Sequence, residues 1–270
     1  MRPPTRNRAG LIALIALLFT TFGMPNAAPA APRAFATYER YIGLDYVISP
    51  NSTIWVHSVC PSGTRPSGGG GYNDEDSVYM VASVPSLIDN AWYAQFVNPT
   101  SNRYGRVHAV AICTNAQSYA HELRRTASPY DYLTMTSWCA PNERLSGGGF
   151  RAWDSRLRAN ATFPVNSVTQ QVTVTNATGS NIDVSAYAVC GFDQYATRGA
   201  SSSVQGYQSG TAQAYCSSRE VRTGGGGYGN SFNDIQIQYS SPTDSGWVIR
   251  GKNLSGAPQN LQASVLCAPL

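Results

Sequence analysis

Three histidines, six cysteines and one acidic run, Asp74-Glu75-Asp76, are the groups from which a catalytic or metal site could be assembled in this 270-residue chain. None falls in a pattern that a reaction requires. A zinc site needs His, Cys or carboxylate ligands at close, defined spacing, and His57, His108 and His121 stand apart. His121-Glu122 opens like a zinc-protease motif, but no second histidine follows. The sequence has no Gly-x-Ser-x-Gly turn to present a nucleophilic serine. "YNDEDS", from Tyr72 to Ser77, has the charge of a calcium loop without its alternating ligand spacing. A solvated turn accounts for it better. Glycoside hydrolysis needs two carboxylates across a sugar, and nothing selects a pair from Asp74, Glu75 and Asp76. No metal and no cofactor is expected, and binding is favoured over catalysis.

The cysteines read better as disulfides. The chain opens with the basic stretch MRPPTRNR, an apolar run over 9–24, and then small residues. That is the layout of a secretory signal peptide, with cleavage expected after Ala30 or Ala36. The apolar run is short of the roughly 20 residues a membrane span needs, and no later stretch is apolar enough. The expected mature protein starts at residue 37, is secreted to the extracellular space or periplasm, and has no membrane span. In that compartment six cysteines imply three disulfides. Four of the 19 basic residues lie in the leader, which leaves 15 of each sign in the mature chain. Lys252 is the only lysine. Nucleic-acid binding rests on clustered Lys and Arg, so it is not expected.

The cysteines also mark an internal repeat. Cys60, Cys139 and Cys216 are each followed by seven residues and then Gly-Gly-Gly. Cys113, Cys190 and Cys267 recur at intervals of 77 residues. Between them each unit carries an apolar stretch ending in proline ("VYMVASVP", "LRANATFP", "IQIQYSSP"). Trp92, Gln170 or Trp247 follows, and six residues later Asn98, Asn176 or Asn253. The chain divides into a leader (1–36) and three β repeats (37–113, 114–190 and 191–270). The closing strands alternate with period two. Val107, Ala109 and Ala111, with their counterparts Val184, Ala186, Ala188 and Leu261, Ala263, Val265, are expected to face the core. His108, Ser185 and Gln262 are expected to face solvent. Only "YAHELRRTA" has helical composition. The fold class is all-β with about five or six short strands per unit, β-prism-like or three small packed units, stapled by three disulfides. Threefold symmetry leaves two pairings. One is Cys60–Cys113, Cys139–Cys190, Cys216–Cys267. The other is Cys113–Cys139, Cys190–Cys216, Cys60–Cys267. The first staples each unit independently and is preferred.

Glycine triplets weaken a strand unless a bend or a close backbone approach needs them. They mark either such a packing requirement or an open loop that receives a ligand.

The pattern of cysteine, glycine triplet, proline, "W-x-V", asparagine and "A-x-x-C" resembles a three-repeat unit of uncharacterised secreted actinobacterial proteins, a group from which no activity carries over. It is also similar to β-prism proteins, the jacalin-type lectins and the vitelline-membrane outer-layer protein. Jacalin-type units have a glycine pair bordering the sugar site and an aspartate completing it. That resemblance implies ligand-binding roles for Gly69, Gly70 and Asp76, for Gly148, Gly149 and Asp154, and for Gly225, Gly226 and Asp234. Trp153, in the loop after the second triplet, is the best candidate for an exposed sugar-stacking ring, because flat rings cover pyranose faces. Trp92 and Trp247 occupy equivalent positions and read as core. The function expected is a multivalent, lectin-like module for carbohydrate or a cell-surface glycoconjugate. The alternatives are a structural, inhibitor-like or toxin-like interaction protein, and a secreted hydrolase.

Overall fold

The computed structural model describes residues 36–231 and 234–270. Residues 1–35 of the expected leader lie outside the described residues. The described chain forms nineteen strands and no helix. Repeat 1 holds β1 (Tyr38–Ile42), β2 (Tyr46–Ile48), β3 (Ser52–Val59), β4 (Arg65–Asn73), β5 (Tyr79–Ser86), β6 (Ala91–Asn98) and β7 (Gly105–Thr114). Repeat 2 holds β8 (Tyr119–Ala127), β9 (Tyr132–Trp138), β10 (Arg144–Ala152), β11 (Arg158–Pro164), β12 (Thr169–Thr175) and β13 (Ile182–Gly191). Repeat 3 holds β14 (Ala196–Val204), β15 (Ser209–Tyr215), β16 (Glu220–Gly229), β17 (Ile235–Pro242), β18 (Gly246–Asn253) and β19 (Gln259–Pro269). The helix-like composition of "YAHELRRTA" yields to tertiary pairing. Its residues form β8, laddered to β13 from Tyr119↔Cys190 to Ala127↔Ile182, and propensity is the weaker influence.

No repeat makes a sheet of its own. Sheet A has the order β1-β7-β4-β17-β18-β15, with β2 also on β7. Sheet B is β3-β6-β5-β10-β13-β8, and sheet C is β14-β19-β16-β11-β12-β9. Each sheet joins half of one repeat to half of another. The seams are Ser240↔Gly71, Ser83↔Phe150 with Ala82↔Arg151, and Thr162↔Gly227 with Ala161↔Tyr228. The exchange buries three strand edges that would otherwise be open to foreign pairing. The nine alternating residues of β7, β13 and β19 are fully buried, as their period requires. One continuous apolar core runs through all three sheets.

The glycines serve this closure. The first of each triplet, Gly68, Gly147 and Gly224, meets the next repeat's triplet at the centre. A Cβ on Gly68 would run into Thr223 O and Gly224 Cα, on Gly147 into Ser67 O and Gly68 Cα, and on Gly224 into Ser146 O and Gly147 Cα. The third of each faces backbone across a seam: Gly70 against Ser240 O, Gly149 against Ser83 O, Gly226 against Thr162 O. The second lies under a large side chain, Gly69 under Trp92, Gly148 under Gln170 and Gly225 under Trp247. This is why tryptophan, glutamine and tryptophan occupy one position of the repeat. All three are buried and hydrogen-bonded alike: Trp92 Nε1 donates to Ser83 Oγ at 2.9 Å, Trp247 Nε1 to Ser240 Oγ at 2.8 Å, and Gln170 Nε2 to Thr162 Oγ1 at 3.1 Å.

The repeated asparagines are internal staples. Asn176 Nδ2 donates to the carbonyls of Ala127, Ser128 and Ser180, and its Oδ1 accepts from Thr178 N and Oγ1. Asn253 repeats the set with Val204, Gln205, Ala257 and Ser255. Both are fully buried. Asn176→Ala strands several buried backbone groups at once and is expected to cost about 2–4 kcal/mol, measured by urea unfolding followed through tryptophan fluorescence.

The disulfides are Cys60–Cys113, Cys139–Cys190 and Cys216–Cys267, so each repeat is stapled within itself. Each closes a loop of about 50 residues, which stabilises by roughly 4 kcal/mol in the chain-entropy account. Near the third, the Arg198 fork holds Glu220 through two bonds of 2.7 Å, and Ser217 N adds a third at 2.9 Å. The arginine bonds first, then the backbone bond, hold the Glu220 carboxyl down to about 2. A depressed carboxyl stabilises the fold above its ordinary unfolded pKa, and that contribution disappears as pH falls through the folded value. The pair is at the surface, where solvent screening keeps the contribution small. The melting midpoints of wild type and Glu220→Gln are expected to differ at neutral pH and to converge between pH 4.5 and 2.

Candidate functional site on the outer face of sheet B

The three outer faces are not alike, although the strands beneath them are. On sheet B the strand period places Trp55 and His57 outward on β3 and Tyr93 and Gln95 outward on β6, while Val56, Trp92, Ala94 and Phe96 point in. Ladder register then fixes the rows. One runs Trp55↔Gln95, Gln95↔Ala82, Ala82↔Arg151, Arg151↔Ser185, Ser185↔Arg124. The other runs His57↔Tyr93, Tyr93↔Val84, and beyond the seam Gly149↔Tyr187, Tyr187↔Glu122. Small residues at Ala82 and Ser185 leave the middle low. Rings stand on either side.

Arg151 lies between two of those rings. Its guanidinium carbon is 3.7 Å from the Trp153 ring centroid and 5.4 Å from that of Trp55. Arg124 covers Trp153 at 4.3 Å. Arginine stacked on indole is favourable, and more so where water is excluded. Trp55 and Trp153 remain 38% and 45% exposed, so both keep surface for a ligand. Tyr93 tilts against His57 at 5.4 Å and meets Trp55 edge-on at 6.5 Å. Between them is a trough of about 330 Å3 lined by Trp55, Val84, Pro85, Ser86, Asp89, Tyr93, Arg151 and Tyr187.

The polar groups are held in place. Asp89 accepts from Ser86 Oγ at 2.8 Å and from Tyr93 Oη at 3.3 Å. Burial and the Asp89 charge push the Tyr93 hydroxyl up, and burial with Glu122 takes Tyr187 up to about 12. Both phenols therefore stay protonated and able to donate at neutral pH. Asp183 is held below the usual carboxylate range by Arg124 at 2.5 Å and Thr126 Oγ1 at 2.8 Å. Ser185, expected to face solvent, is buried. Its Oγ donates to Glu122 at 2.5 Å, and Trp153 closes over it.

Of the residues expected to bind ligand, Trp153 alone belongs to this site. Gly69, Gly70, Gly148, Gly149, Gly225 and Gly226 are buried beneath side chains and backbone of other strands, and no open loop surrounds them. Asp76 pairs with Arg250 on sheet A. Asp154 is gripped by Arg156 of its own loop, at 2.6 Å between Oδ2 and Nη2. Asp234 accepts from Gln259 of sheet C at 3.2 Å. The three aspartates thus have separate partners and share none. Trp55, Tyr93, Arg151, Tyr187 and Arg124 were not singled out by sequence reasoning. The available signal was broken symmetry: Trp55 aligns with Thr134 and Thr211, Tyr93 with Gln171 and Val248, and Arg151 with Tyr72 and Tyr228.

The other faces carry different groups. Sheet A has Tyr72 stacked on His108 at 5.2 Å and against Tyr239 at 4.8 Å, with His108 Nδ1 2.8 Å from Asp45. Sheet C has Tyr228 against Phe163 at 4.3 Å. Two clusters with metal-ligand elements, His121-Glu143-Cys190 and Cys216-Glu220-Cys267, each depend on disulfide sulfur, which is not available as thiolate. Among the described residues no helix is long and apolar enough to cross a membrane. No protein-family model matches the chain, and no curated protein matches it in sequence.

Proposed function

We propose that this is a secreted carbohydrate-binding protein whose binding surface is the outer face of sheet B. The observation that carries the reading is the row of partly exposed rings, Trp55, Tyr93 and Trp153, standing beside fixed hydrogen-bonding groups on a rigid sheet. Rings of this kind cover the apolar faces of pyranoses, and a few set polar groups orient them. Three disulfides suit an oxidising, extracytoplasmic compartment. The site is a single face: none of the aromatic and arginine residues that make it recurs at the matching position of another repeat. Among the trough-lining residues Asp89 is the one carboxylate, an arrangement that suits binding better than two-carboxylate hydrolysis. The test is to apply residues 37–270, with disulfides intact, to a glycan and cell-wall polysaccharide array. Retention of one or a few polysaccharides is expected. Retention of none would reject the reading in favour of a protein-interaction role.

A further inference from the structure

Every charged group around the trough but one has a hydrogen-bond or ion-pair partner. Arg124 is neutralised by Asp183. Glu122 receives the Ser185 hydroxyl. Asp89 receives those of Ser86 and Tyr93. Among the described residues Arg151 has neither a hydrogen bond nor an ion pair, and its Nε is sealed from solvent without an acceptor. A half-buried guanidinium without a counter-ion is costly to keep. Here two indoles hold it in one orientation at the floor of the trough. Its planar fork matches a carboxylate through two parallel bonds, and prior immobilisation removes much of the ordering cost of binding.

Building on the carbohydrate reading, we infer that the ligand is an acidic saccharide whose sugar carboxylate is received by Arg151. Trp55 and Trp153 flank that position, so a uronic-acid ring stacks on indole while its carboxylate reaches the guanidinium. Asp89, at the turn between β5 and β6, stays with its two hydroxyl donors and can accept from a sugar hydroxyl.

The experiment uses residues 37–270 against matched probes: polygalacturonate beside its fully methyl-esterified form, and hyaluronan beside chitin oligomers. The acidic member of at least one pair is expected to bind about tenfold more tightly than its neutral partner. Salt at 0.5 M is expected to weaken the acidic member selectively. Arg151→Gln removes the preference while its melting midpoint stays near that of wild type, and Arg151→Lys, which keeps the charge without the fork, restores part of it. Equal binding within both pairs would overturn the inference and leave the carbohydrate reading standing. Binding to neither member of either pair would also overturn it, and the carbohydrate reading would then depend on the neutral glycans of the array.

Discussion

Gly226→Ala is expected to destabilise the protein by on the order of 4 kcal/mol or more, enough to leave much of it unfolded. The added methyl would be driven into the carbonyl oxygen of Thr162, well inside the 3.0 Å that real Cβ atoms essentially never cross. That oxygen belongs to β11, a strand of another repeat, and cannot swing aside as a long side chain could. Relief requires β16 and β11 to separate at the seam, Thr162↔Gly227, where repeats 2 and 3 form one sheet. Cores transmit such strain because they are close-packed. Gly199→Ala is the control. Gly199 is exposed on β14 and its nearest neighbour is the flexible end of Gln262, so the change is expected to stay within about 1 kcal/mol of wild type. Chemical unfolding of both variants decides the matter. A Gly226→Ala protein as stable as Gly199→Ala would mean that the triplets are not needed for closure.

Trp55→Ala and Trp153→Ala are each expected to weaken glycan binding by about ten- to hundredfold, the loss typical of a truncated aromatic anchor. Both rings are partly exposed, so little core packing is lost. Trp153→Ala does two things at once. It removes a stacking surface, and it frees Arg151 and Arg124 from the ring that orients them. Its effect is therefore expected to be the larger. Calorimetric titration with an array-selected oligosaccharide measures both, and unchanged melting midpoints show that the fold is intact.

The fold was legible in the sequence because closure leaves marks that three copies make visible. The cysteine spacing, the triplets, the Trp/Gln/Trp position and the buried asparagines all recur in register, and each proves to be a packing device. The preferred disulfide set holds for the same reason. The exchange of half-repeats between sheets was not legible, because strand period says which face a residue uses and not which strand lies beside it. The candidate site was hidden by the repeat itself. Features shared by all three units drew attention to the glycines and to Asp76, Asp154 and Asp234, whereas the candidate ligand surface is built from residues that depart from the repeat. Trp55 and Arg151 lie 96 residues apart in sequence and come together only through the β5–β10 seam. Trp153 was singled out because it stands in the loop after the second triplet. Ser185 was misplaced because alternation ignores what later folds over a strand.

In the proposed function, the outer face of sheet B binds glycan and the faces of sheets A and C do not. Three variants are compared for affinity to the array-selected glycan: Trp55→Ala on sheet B, Tyr72→Ala on sheet A and Tyr228→Ala on sheet C. The expected result is a loss of about tenfold or more for Trp55→Ala alone, with the other two at wild-type affinity. Equal losses in all three would restore a three-site lectin built on the repeat, and wild-type affinity in Trp55→Ala would contradict the assignment of sheet B.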